Sequence, residues 1–86
     1  MSESLIDLTE RRLLEREQAA LDNPDELFYC SYLISHLNLV AAEEPETDTL
    51  FAQGVEDSLN SAFAVDQLSD QDKSGIQSLW QAICAA

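Results

Sequence analysis

Residues 24–42, PDELFYCSYLISHLNLVAA, are apolar on most sides when wound into a helix. At about 100° per residue, Leu27, Cys30, Leu33, Ile34, Leu37, Val40 and Ala41 fill one arc. Phe28, Tyr32 and Leu39 form a second stripe, and only a narrow wedge of Ser31, Ser35 and Asn38 stays polar. A helix of this kind belongs between neighbours rather than on the outside of a fold. Its start is chemically explicit. Asn23 suits the N-cap, where its side chain accepts a bond from an orphan amide. Pro24 suits the first helical position, where a missing N–H costs nothing. Asp25 and Glu26 complement the positive end of the helix dipole.

The rest of the chain supplies the neighbours. A first helix is expected over residues 2–21, with Ile6, Leu13, Leu14, Ala20 and Leu21 on one broad side. Asp7, Arg11 and Glu15 make a supporting i,i+4 ladder. Arg12 and Arg16, also four apart, repel, so something acidic on a neighbouring helix is expected to face them. Pro45 ends the second helix. Thr47 or Asp48 then caps a third over 48–65, where Phe51, Val55, Leu59, Ala62 and Phe63 share a face. Gly54 interrupts that pattern and either permits a close helix approach or is merely tolerated. Ser69 caps a fourth helix over 70–85, with Asp72 in the reciprocal position of a capping box. Ile76, Leu79, Trp80 and Ile83 are its apolar stripe. Connections this short make consecutive helices antiparallel neighbours. The expected fold is all-α: one small domain over residues 1–86, an antiparallel up-and-down four-helix bundle. A homodimer that builds its core between two chains is the rival to a monomer.

Charge constrains the partners. Seventeen acids stand against four bases, a net charge of −13. Phosphate binding needs Lys and Arg to displace counterions, so nucleic acid is a poor partner. An anionic membrane face repels such a chain, and no apolar run approaches the ~20 residues that span a bilayer. A basic protein surface attracts it. The stretch MSESLIDLTE has no basic start followed by an apolar core, so no secretory signal is expected. Cys30 and Cys84 fall within apolar helical patterns and read as reduced thiols. Together these features predict a cytoplasmic location.

Candidate functional residues are few. Tyr29, Tyr32 and His36 are spaced to share a side of the second helix, and His titrates near neutrality. They could line a ligand site, or simply edge the core. One His and two distant cysteines do not match metal-ligand spacing, and no nucleophile–base pair or glycine-rich loop is visible. No enzyme activity, metal or cofactor is expected. The acidic corner Glu43, Glu44, Glu46 and Asp48 is more suggestive. Glu43 and Glu44 crowd the negative end of the second helix, where acids are unfavourable. Asp22 and Asp66 repeat that misplacement at the ends of the first and third helices. A partner's countercharge would answer such an arrangement, although a screened, solvated loop also accommodates it.

Asp25-Glu26-Leu27-Phe28, Tyr32-Leu33, His36-Leu37 and Leu39 together resemble the run D-E-L-F-x-x-x-Y-L-x-x-H-L-x-L of the YfcL-like family of small gammaproteobacterial proteins. The later Leu68-Ser69, Asp72 and Trp80 are similar as well. The resemblance covers most of the chain, with the second-helix run its specific part. It implies a small bacterial cytoplasmic protein and marks Tyr32 and His36 as positions of interest, without implying an activity. The expectation is a non-catalytic protein–protein interaction module whose partner has a basic surface. The alternative is a small-ligand-binding protein using Tyr29, Tyr32 and His36.

Overall fold

The computed structural model describes residues 4–85; Ser2 and Glu3, where the first helix was expected to begin, lie outside them, as does Ala86. Four helices follow in order: α1 (Leu5–Ala19), α2 (Pro24–Ala42), α3 (Asp48–Val65) and α4 (Asp70–Ala85). They form an all-α, up-and-down four-helix bundle. Side-chain caps hold the starts. Ser4 Oγ accepts from Asp7 N at 3.3 Å, and Asn23 Oδ1 from Glu26 N at 3.2 Å. Thr47 Oγ1 accepts from Leu50 N, and Ser69 Oγ from Asp72 N, both at 3.1 Å. Each bond satisfies one of the amides a helix start leaves without a partner.

α2 lies at the centre and packs closely on the other three helices. Cys30, Leu33, Leu37 and Val40 are its buried face. They meet Leu13 of α1, Phe51, Val55 and Leu59 of α3, and Ile76, Leu79, Trp80 and Ile83 of α4 in one core. The wedge of Ser31, Ser35 and Asn38 faces water as expected. The second apolar stripe is less enclosed than its composition suggests: Phe28 is 42% exposed and Leu39 60%. The buried line runs through Thr9 and Leu13 of α1 to Ala20, which caps it, while Leu14 and Leu21 are exposed; the helix ends at Ala19, short of the residue 21 expected. Thr9 belongs in the interior because its hydroxyl donates to Leu5 O at 2.7 Å, so no polar atom is orphaned.

The two close arginines find different partners. Arg16 pairs with Glu26 of α2 at 3.7 Å, an exposed contact of small energetic weight. Arg12 reaches no carboxylate among the described residues. Its Nη1 donates to Ile83 O at 2.6 Å, placing a cation against the negative end of α4. That bond ties α1 to the last turn of the chain.

Two backbone positions stand out. A Cβ on Gly54 would stand 2.8 Å from Val40 Cγ1, so the missing side chain lets α3 close onto α2. Of the two expected roles for Gly54, the close approach is the one present. Beyond α2, Glu44 takes φ 54, the left-handed conformation usually given to glycine after a helix. α3 and α4, although consecutive, hardly approach one another. Phe51 and Trp80 bridge the gap edge to face, with centroids 6.3 Å apart.

Gly54→Ala tests the close approach. Ala is the better helix former by up to ~1 kcal/mol, but overpacking against buried Val40 costs about 1–3 kcal/mol. Urea unfolding is expected to show a net loss; a rise in the midpoint would mean that Val40 yields freely. Glu44→Gly removes the left-handed penalty and is expected to raise stability by ~1 kcal/mol in the same assay. An unchanged midpoint would assign no strain to Glu44.

Candidate functional site

The tyrosine–histidine side of α2 does not form one continuous strip, because its members turn to different helices. Tyr29 leans onto α4. Its hydroxyl donates to Asp72 Oδ1 at 3.1 Å, and its ring covers Gly75, where an added Cβ would stand 2.7 Å from Cζ. Asp72 therefore directs its carboxylate to α2, while its own amide bonds Ser69. Burial, the bond to Asp72 and that carboxylate's charge all hold the Tyr29 phenol above its ordinary pKa.

Tyr32 and His36 turn instead to α3. Tyr32 is the hub of an aromatic group: its ring lies 4.9 Å from His36 and 6.0 Å from both Phe28 and Phe63. Its hydroxyl donates to Asp66 Oδ2 at 2.8 Å. Burial, reinforced by the hydrogen bond to Asp66, pushes the Tyr32 phenol up to about 12. The acid that looked misplaced at the end of α3 is thus the acceptor that anchors Tyr32. His36 Nδ1 lies 2.6 Å from Ser58 Oγ of α3. Burial lowers the pKa of His36, against a smaller opposing pull from Asp66. The shift favours the neutral imidazole.

Ser58 and His36 have the separation of a nucleophile and a base, a pairing the sequence spacing did not reveal. Ser58 lies within α3, whose interior amides are committed to the helix ladder. The contact serves to pin α2 to α3 and to satisfy a half-buried ring.

The acidic corner is exposed at Glu43, Glu44, Glu46 and Asp48. Asp48 differs from the other three, because its Oδ1 accepts from Leu5 N at 3.3 Å and closes the start of α1 onto α3. The two cysteines are free thiols, and burial raises the pKa of both. That makes them less nucleophilic at neutral pH. Among the described residues, no three His, Cys, Asp or Glu side chains converge as a metal site. No described helix is long and apolar enough to cross a membrane.

Sequence reasoning overlooked the partners Asp66, Ser58 and Asp72, which lie 22 to 43 positions from the residues they hold. Gly75 was the one available signal, since an interior helical glycine marks a close approach. Also overlooked was a groove of about 700 Å³ between α3 and α4. Tyr29, Tyr32 and His36 do not line it. Its walls include Gln53, Glu56 and Asp57 of α3 and Trp80 and Gln81 of α4.

The family model described as YfcL protein matches residues 11–85, from the middle of α1 to the end of α4. No curated protein and no solved structure matches the chain.

The lowered His36 pKa fixes a pH dependence. Above about pH 6.5, the ordinary value, the ring is neutral both folded and unfolded, and burial costs nothing. As pH falls through 6.5 the unfolded chain binds its proton first, so His36 withdraws stability until the folded state also protonates. Urea unfolding of wild type and His36→Gln at pH 7.5 and 5.5 isolates this contribution from the carboxylates. Wild type is expected to lose stability relative to His36→Gln at the lower pH. A constant gap would mean the ring has the same proton affinity in both states.

Proposed function

The chain belongs to the YfcL family, and from that premise we propose that it is a non-catalytic protein–protein interaction module of the bacterial cytoplasm. One observation carries this reading. The side chains best equipped for chemistry are engaged within the fold, while the carboxylate surplus faces solvent. Tyr29, Tyr32 and His36 bond Asp72, Asp66 and Ser58. Seventeen acids against four bases leave a strongly negative surface. Such a surface speeds encounter with a basic partner and makes the complex salt-sensitive. Nucleic acid and anionic membrane are disfavoured by the same charge. Free thiols at Cys30 and Cys84 suit a reducing compartment.

The ligand-binding alternative has less support. A ligand bonding the polar atoms of Tyr29, Tyr32 and His36 competes with three internal hydrogen bonds, two of them part-buried, where a donor or acceptor left unpaired costs ~1–3 kcal/mol. A small-molecule NMR screen with shifts centred on His36 would revive it.

Affinity purification with crosslinking from the native host, repeated at graded salt, tests the leading reading. Recovery of a defined partner at about 0.1 M salt is expected, with at least tenfold less at about 0.5 M, where screening is strong. Repeated failure to recover any partner would overturn the interaction role. Recovery independent of salt would replace the electrostatic surface with an apolar one.

A further inference from the structure

We propose that the groove between α3 and α4 receives a basic amphipathic helix supplied by another protein. This rests on the interaction-module reading and gives it a location. Its basis is the way the bundle is closed. α3 and α4 each pack on α2, yet hardly approach each other. What lies between them is an open groove of about 700 Å³. Along α3 its wall runs from Asp48 to Asn60, about 18 Å of helix, the length of roughly three turns. On α4 the wall is the one turn that holds Gln77, Trp80 and Gln81, so a docked helix would run along α3 and meet α4 at that turn.

The chemistry of the walls selects the occupant. Leu5, Ala52 and Trp80 supply apolar surface toward the bottom. Asp48, Glu56 and Asp57 supply the charge, and among the described residues no Lys or Arg lines the groove. Gln53 and Gln81 stand on opposite walls and carry both donors and acceptors. An apolar stripe flanked by Lys or Arg matches this lining, with apolar residues downward and cations toward the carboxylates. A second copy of the chain fits poorly. At −13 it would meet its own repulsion. It brings only four bases, of which Arg12 donates to Ile83 O and Arg16 pairs with Glu26.

The test uses the full chain labelled with nitrogen-15 and a synthetic 14-residue amphipathic Lys/Leu helix, with its Glu/Leu counterpart as control. NMR shifts are expected at the Trp80 indole and at the side-chain amides of Gln53 and Gln81, for the Lys peptide alone. The exposed double variant Glu56→Lys/Asp57→Lys is expected to weaken binding at least about tenfold, and Glu43→Lys/Glu46→Lys less than about twofold. Shifts centred on the corner or on the α2 aromatics, with affinity intact in Glu56→Lys/Asp57→Lys, would overturn the groove. So would groove shifts that grow with concentration of the chain alone, since these would assign the groove to a second copy. Absence of peptide binding would overturn the helix-docking inference. If the salt-sensitive host partner is still recovered in that case, the interaction role survives; if it too is absent, both fall.

Discussion

Burial of α2 against three helices at once is the constraint from which the architecture follows. Cys30 and Leu33 are wholly buried, and Leu37 and Val40 nearly so. A chain of this size buries only roughly 60–65% of the surface its unfolded form exposes, so a single well-filled core has to supply the stability. α1, α3 and α4 each contribute one stripe to it, and α2 is where the stripes meet. Gly54 brings α3 onto Val40, and Gly75 accommodates the ring of Tyr29. α3 and α4 each close on α2 and touch one another mainly through Phe51 and Trp80, and the groove lies beside that contact.

The polar groups of α2 support the same arrangement. Tyr29 reaches α4, while Tyr32 and His36 reach α3. These three bonds fix the rotation and height of α2 relative to its neighbours, which apolar packing alone specifies less sharply. Asp66 and Asp72 thereby acquire structural roles, and Asp48 holds the first amide of α1. Part of the acidic excess is built into the joints of the bundle. The remainder, including Glu43, Glu46, Glu56 and Asp57, faces solvent and is available to a partner.

Local chemistry explains what could be read from the sequence. The caps at Asn23, Thr47 and Ser69 act over three residues, and the stripe of α4 repeats within one helix, so both were legible. The bounds of α2, α3 and α4 followed from them. Thr9 was not legible as a core residue, because its burial depends on a hydroxyl folding back to Leu5 O. Nor was Leu14 legible as an exposed one. The site fared less well than the fold. Tyr29, Tyr32 and His36 do lie along one helix, but which neighbour each would face depends on helix rotation. Arg12 against Ile83 O joins positions 71 apart, and no spacing rule reaches that far. The α3–α4 groove is a relation between two helices and leaves no periodic trace in either.

Native-state hydrogen exchange tests the central position of α2 most directly. If α2 is the element on which the others assemble, the amides of Leu33 and Leu37 exchange only through global unfolding, with a free energy equal to that from urea. The outer helices then show smaller, local opening energies toward their ends. If α2 instead exchanges through local opening while α3 and α4 remain protected, the core does not depend on α2, and the account of the fold given above is wrong.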